Sequence, residues 1–282
     1  MQINSTINLE RTINSGQVFL WNKIDERWIG INGQDILIAQ QNPFKIKSFL
    51  GKQNHFFRED DDFKKILSSI SRDKTVKSAL TSFPGLRLVR QDMFQCYISF
   101  ICSSNASIRN IKLMLTNLCK KFGEKIEFEK QEHSVFPTPE KLACASTKQL
   151  LDCRLGFRAK YVKNAAKMID SRKLDLESLK KVDYQSALEK LRAIHGIGSK
   201  IADCILLFSL DNLEAFPIDR WSQRILLKYY SRIFNDVSEK PLTEKKYDKL
   251  HKEIVNYFGP YAGYSQQFLF KMEREHNKKS WL

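Results

Sequence analysis

IHGIGSKIADCILLFSLDNLEAFPID, residues Ile194–Asp219, sets a glycine-pinched turn, a lysine and an aspartate in close order. Leu188, Leu191 and Ile194 recur at helical spacing and stop at His195-Gly196-Ile197-Gly198. A second apolar run, Ile201 to Leu210, begins at once, and two helices joined by so short a link form a hairpin. Glycine at 196 and 198 permits positive φ and close approach of the backbone. The free N–H groups at the start of the second helix then suit an anionic phosphate. Taken alone, Gly196 and Gly198 also fit an ordinary helix end that binds nothing.

Lys200 falls in the first turn of that second helix, beside the positive end of the dipole, where a cation lowers stability. The dipole and the apolar run behind the lysine both favour the neutral amine, which is a nucleophile. A lysine here can also simply lie along a phosphate backbone. Cys204, four residues on, shares the Lys200 face, either as a small core residue or as the wall of a pocket that Lys200 enters. Asp219 follows Phe216-Pro217-Ile218 and precedes the apolar-periodic segment Trp221 to Tyr230, so it reads as a helix N-cap. A capping carboxylate is held rigidly and can also face a reacting centre.

A hairpin, then a lysine, then an aspartate beyond a proline-containing link resembles the helix-hairpin-helix DNA glycosylase superfamily. Within it the chain is most similar to the 8-oxoguanine DNA glycosylase/AP lyase family of the eukaryotic and archaeal type. Three other segments carry the resemblance: NSGQVFLW at Asn14–Trp21, CYISFICSSN at Cys96–Asn105 and FGPYAGYSQQFLF at Phe258–Phe270. The likeness runs from Gly16 to Phe270, with its motifs in family order.

Composition agrees with a polyanionic partner. The chain has 282 residues, 47 Lys plus Arg against 32 Asp plus Glu, and a net charge of +15. Its 19 Phe allow both core packing and base stacking. No basic-then-apolar leader opens the chain, and no apolar run approaches the ~18 residues that span a membrane. A protein of the cytoplasm (nucleoid-associated), or of the nucleus if eukaryotic, is therefore expected, not a secreted one. The six cysteines form no C-x-x-C pair and none follows Asp219. That argues against zinc and against the four-cysteine iron–sulfur cluster of the endonuclease III branch, so no metal and no cofactor are expected. Free thiols suit a reducing compartment.

The pattern divides in two. Residues 1–85 hold short runs of strand character, Gln17–Trp21, Trp28–Ile31 and Asp35–Ala39, with Asn32-Gly33 as a hairpin signal. The acidic run Glu59–Asp62 opens a helix through Ile70. Residues 86–282 read as helical almost throughout. The fold class is therefore α+β: a small N-terminal antiparallel sheet domain, then a helical domain with the hairpin and the active site. Arg158, Lys160, Lys163 and Lys167 form a second basic surface on a helix whose other side, with Val162, Ala165 and Ala166, is apolar.

The resemblance implies the chemistry. Lys200 attacks C1′ of a flipped nucleotide, and Asp219 supports the charge that develops. Cys204 and Phe270 sandwich the base, Gln266 binds its Watson–Crick edge, the Gly16 carbonyl accepts the N7 hydrogen of 8-oxoguanine, and Pro217 borders the pocket. Asn105 fills the gap left in the duplex, Phe157 wedges into the stack, and Arg158 reads the unpaired base. By their residues alone, Phe270 reads as core, Gln266 as surface and Asn105 as a turn residue. Eukaryotic family members carry an arginine where this chain has Asn110, so looser reading of the opposite base is expected. Arg109, about 100° away around the helix, should not replace it. The expected partner is duplex DNA containing oxidised guanine, bound by a monomer. Two rival readings stand beside this one. A non-enzymatic helix-hairpin-helix module leaves the Lys200–Asp219 pairing unexplained. A glycosylase for alkylated bases would use the aspartate and a water and would lack the lysine.

Overall fold

A computed structural model describes residues 6–51, 55–234 and 237–277. The chain opens with a short helix, α1 (Leu9–Ile13), and a meander of four strands, β1 (Trp21–Ile24), β2 (Arg27–Asn32), β3 (Asp35–Gln40) and β4 (Lys45–Ser48), paired antiparallel in that order. Two helices, α2 (Phe63–Ile70) and α3 (Lys74–Ser82), lead to α4 (Met93–Cys102) and α5 (Ile108–Phe122). A two-stranded ribbon, β5 (Lys125–Phe128) and β6 (Gln131–Ser134), interrupts the helices. The remainder is helical: α6 (Pro139–Cys144), α7 (Thr147–Asp152), α8 (Ala159–Asp170), α9 (Leu176–Leu179), α10 (Tyr184–Arg192), α11 (Ser199–Ser209), α12 (Arg220–Tyr230), α13 (Glu244–Phe258) and α14 (Ala262–His276). None of the described helices is long and apolar enough to cross a membrane.

Polar residues set where the helices start. Asp92, Ser107, Asp183, Asp219 and Thr243 each accept from the backbone amide three residues on. Each such cap stabilises its helix by about 1 kcal/mol. Asp62 caps α2 in the same way, at the end of the acidic run.

Alternation places the sheet. Leu37 and Ala39 face one apolar cluster with Trp28, Phe56 and Phe57, while Ile36 and Ile38 face another with Ile29 and Val135. Two expectations need correction here. Gln17–Trp21 is not a strand: pairing starts at Trp21, because the buried Gln17 spends its side chain on the backbone of Thr12, Arg87 and Val89. The β2–β3 loop is Gly33-Gln34, not Asn32-Gly33, since Asn32 pairs with Asp35 and Gly33 holds φ +63°. The β5–β6 ribbon also falls in a stretch read as helical. Glu129 at its tip pairs with Arg27 and Lys47 of the main sheet, a long-range contact without local signature.

One large core joins α2, α3 and the later helices through residues such as Phe63, Val76, Tyr97, Ile205, Leu226 and Phe268. Buried charge ties the loop before α2 to the end of α11. Arg58, 1% exposed, meets Asp211 at 2.7 Å, and Arg90 meets the same carboxylate at 2.8 Å. The C-terminal end of α11 is thereby fixed against the loop that precedes α2.

Candidate active site

Five helices, α4, α5, α11, α12 and α14, and the turn after α1 meet at a cavity of about 340 Å³. The α11 helix contributes Lys200 and Cys204, the link into α12 contributes Pro217 and the N-cap Asp219, and α14 contributes Gln266 and Phe270. Gly16 comes from the turn after α1. These seven residues, singled out from distant parts of the sequence, line the same space.

Lys200 sits in the first turn of α11, as its position after Gly198 requires. Its Nζ donates to Ser103 Oγ at 3.1 Å and lies 5.5 Å from the centre of the Phe100 ring. Cys204 is buried against it, and burial pushes its thiol up to about 12 despite the opposing charge of Lys200. Asp219 caps α12: one carboxylate oxygen accepts from the Ser222 amide at 2.8 Å. The Ser222 hydroxyl donates to the Pro217 carbonyl at 2.8 Å, which fixes the link on which Asp219 stands.

Gly16 adopts φ +89°, and a Cβ there would lie 2.6 Å from Arg274 Nη1 and 3.2 Å from the Phe270 ring. The positive φ and this tight packing both require glycine. Its neighbours are anchored from both sides. Gln17 donates to Ser15 Oγ at 2.9 Å, and Gln267 of α14 donates to the Ser15 carbonyl at 3.1 Å. Gln266, read as surface from its residue type, is buried, with Oε1 lacking any hydrogen-bond partner. Its Nε2 donates to Ser222 Oγ at a long 3.4 Å.

The residues expected to touch DNA lie outside the cavity lining. Asn105 holds φ +50° in the turn after α4. Arg158 Nε donates to the Ser104 carbonyl at 3.0 Å, and Nη2 donates to the Asn105 carbonyl at 3.1 Å. Its guanidinium lies 4.4 Å from the Phe157 ring. Phe157 is 55% exposed, an unusual position for an apolar ring and one free to enter a stack. In the hairpin, Gly196 has φ +95° and packs so tightly on Tyr161 of α8 that a Cβ would lie 2.3 Å from the ring. Gly198 corrects the expectation of two special glycines: its φ is −92°, and open space surrounds the position of a Cβ. It serves as N-cap of α11 with no side-chain cap, so the first amides of that helix have no side-chain acceptor.

Other lining residues were not anticipated. Phe19, Ser103, Trp221 and Arg274 reach the cavity from separate elements, and no local pattern marks them. Arg109 also lines it, whereas Asn110 does not, so the two neighbours do face differently. Among the described residues no group of three or more His, Cys, Asp or Glu is placed to hold a metal ion.

A hairpin presenting a lysine, with a helix-capping aspartate across a cavity, is the arrangement of a base excision repair protein. The chain belongs to the HhH-GPD superfamily of base excision DNA repair proteins, whose family model matches residues 98–253. The model of the 8-oxoguanine DNA glycosylase N-terminal domain matches residues 1–97. The N-glycosylase/DNA lyase OGG1 of Arabidopsis thaliana is 28% identical over 96% of this chain and 78% of its own. A probable N-glycosylase/DNA lyase of Methanothermobacter thermautotrophicus is 30% identical over 72% of this chain and 68% of its own. Among solved structures, the Clostridium acetobutylicum 8-oxoguanine glycosylase/lyase, in complex with DNA containing cytosine opposite 8-oxoguanine, superposes with a TM-score of 0.85. It shares 30% identity and covers 96% of this chain and 93% of its own.

Proposed function

We propose that this protein is a bifunctional DNA glycosylase and AP lyase that excises 8-oxoguanine from duplex DNA and nicks the strand in base excision repair. The observation that carries the reading is the convergence of Lys200 and Asp219 on one cavity of nucleobase-accommodating size. The relatives with glycosylase/lyase names and the net charge of +15 support it.

The target base must leave the stack to enter such a cavity. Phe157 and Asn105 occupy the duplex as it leaves. The lone pair of the Lys200 amine forms a bond to C1′, the C1′–N9 bond breaks with its electrons going to the base, and the proton shed by the alkylated amine neutralises the departing base. Asp219 stabilises the positive charge that spreads over the sugar. Opening of the C1′–O4′ bond gives a Schiff base between Lys200 and the sugar. Loss of a C2′ proton then expels the 3′ phosphate, and the strand is cut. The unpartnered Oε1 of Gln266 suits the N–H groups on the Watson–Crick edge of a guanine. The Gly16 carbonyl would take the N7 hydrogen that 8-oxoguanine has and guanine lacks. Phe270 and Cys204 stack on the two faces.

The protein acts as a monomer on DNA in the cytoplasm, or in the nucleus of a eukaryote; five of its six thiols are buried and all are free, as a reducing compartment allows. The deciding experiment is borohydride trapping on a duplex with one 8-oxoguanine. Wild type should give a covalent adduct and Lys200→Gln none, with duplex binding retained. An unchanged adduct in Lys200→Gln would remove the lysine from the mechanism. A wild type that binds but never releases base would return the protein to the DNA-binding modules.

A further inference from the structure

Gln266, Phe270 and Arg274 repeat every four residues along α14 and all line the cavity. They form one stripe, about 12 Å from first to last at 1.5 Å per residue. The two polar ends of the stripe are complementary. Gln266 Oε1 is a buried acceptor without a donor, and Arg274 Nη1 is a buried donor without an acceptor. Phe270 lies between them, its ring 5.5 Å from the Arg274 guanidinium. Burial also lowers the hold of Arg274 on its proton, an effect that Glu275 opposes. An unpaired, desolvated guanidinium N–H is costly to keep, and nothing in the fold uses this one.

We infer that Arg274 is a specificity residue whose Nη1–H donates to the oxygen on C8 of the extruded base. The inference rests on the reading of the cavity as an 8-oxoguanine site. With the Watson–Crick edge toward Gln266, the five-membered ring points along the stripe toward Arg274. Nη1 packs directly on Gly16, 2.6 Å from where a Cβ would stand. A base whose N7–H meets the Gly16 carbonyl therefore brings its C8 substituent beside this donor. In 8-oxoguanine that substituent is a carbonyl oxygen, an acceptor. In guanine it is a C–H, which leaves that N–H as unpartnered as it is in the free protein. Arg274 thus favours the lesion through a hydrogen bond that the normal base cannot accept.

Arg274 also borders a neighbouring cavity of about 860 Å³, so a purely architectural role, as the wall between two spaces, is the competing explanation. The two are separated by comparing two single-turnover rates in one variant. The first is excision of 8-oxoguanine. The second is β-elimination at a preformed abasic site with no free base added, where no C8 oxygen is present. For Arg274→Leu the ratio of the first rate to the second should fall by about tenfold to a hundredfold, the size of one charge-assisted hydrogen bond. Arg274→Lys, which keeps a cationic donor, should recover part of that ratio. A ratio within threefold of wild type in Arg274→Leu overturns the inference, whether both rates fall together or neither changes. If wild type itself fails to excise 8-oxoguanine, the reading of the site has failed instead, and that control is read first.

Discussion

The Phe216 amide donates to His251 Nε2 at 3.2 Å, three residues before Asp219. Two residues later the Ile218 amide donates to the Tyr247 hydroxyl at 3.0 Å. Tyr247 in turn donates to Asp203 Oδ2 at 2.5 Å, and Tyr184 donates to Oδ1 at 2.7 Å. Asp203 is fully buried on α11, beside Cys204. One helix therefore carries Lys200 and also the polar post from which the link to Asp219 hangs.

Tyr247→Phe tests that post. The variant removes the hydrogen bonds of the Ile218 amide and of one Asp203 oxygen, a loss of about 1–3 kcal/mol. Excision of 8-oxoguanine should slow while affinity for the duplex stays close to wild type, because Asp219 loses its placement and the basic surface does not change. Equal losses in binding and excision would show a general folding defect rather than a displaced carboxylate.

Asp219 has two tasks that one substitution separates. Asp219→Asn keeps an oxygen for the Ser222 amide and removes the charge. The melting temperature should change little, while single-turnover excision slows by ~10² or more. Near-normal excision by a well-folded Asp219→Asn protein would assign the residue to capping alone.

Glu273 gives a pH-dependent prediction. Burial alone would push its carboxyl up, but hydrogen bonds from Lys228, Tyr229 and Asn277 outweigh burial and hold it below its ordinary value. A group held low contributes stability above its unfolded value and loses it as pH falls through the folded one. Glu273→Gln should therefore destabilise the protein by about 1 kcal/mol at pH 7, a modest figure because Lys228 is half exposed. The difference should vanish in melting curves taken well below pH 4.5, the ordinary value for this carboxyl. A difference independent of pH would mean that packing, not charge, holds the contact between α12 and α14.

Opposite-base reading should be loose. Asn110 is exposed, and the Arg158 guanidinium is already committed to the carbonyls of Ser104 and Asn105. One bidentate base contact is worth roughly 1–3 kcal/mol. Without one, rates for 8-oxoguanine opposite each of the four bases should span less than about a hundredfold. Asn110→Arg should widen that span in favour of cytosine. A larger span in wild type would point to Arg109, which lines the cavity.

Residues whose role depends on local order were legible in the sequence. The Gly196 turn, the Lys200 helix start and the Asp219 cap each follow from neighbours within four positions. Gly16, Gln266 and Phe270 were reached through resemblance, because their setting comes from contacts across most of the chain. Gln266 shows the limit: an amide has no local mark that separates a solvated surface from a cavity wall. Ser103 and Arg274 were missed for the same reason. Gln17 misled in the opposite sense, since its β-like neighbours concealed a side chain that binds the backbone of three residues, Thr12, Arg87 and Val89.

Gln267 and Ser15 are joined across 252 positions of sequence. Gly16, the residue proposed to read N7, is therefore set in position by a helix that leaves the ribosome near the end of synthesis. Contacts of such long range form late and pay a large loop-closure cost. A nascent chain can complete the hairpin and present Lys200 before it can tell one purine from another. On that proposal, discrimination would be the last property to be acquired, and a local opening of α14 from the Ser15 turn would be enough to remove it while Lys200 stays in place.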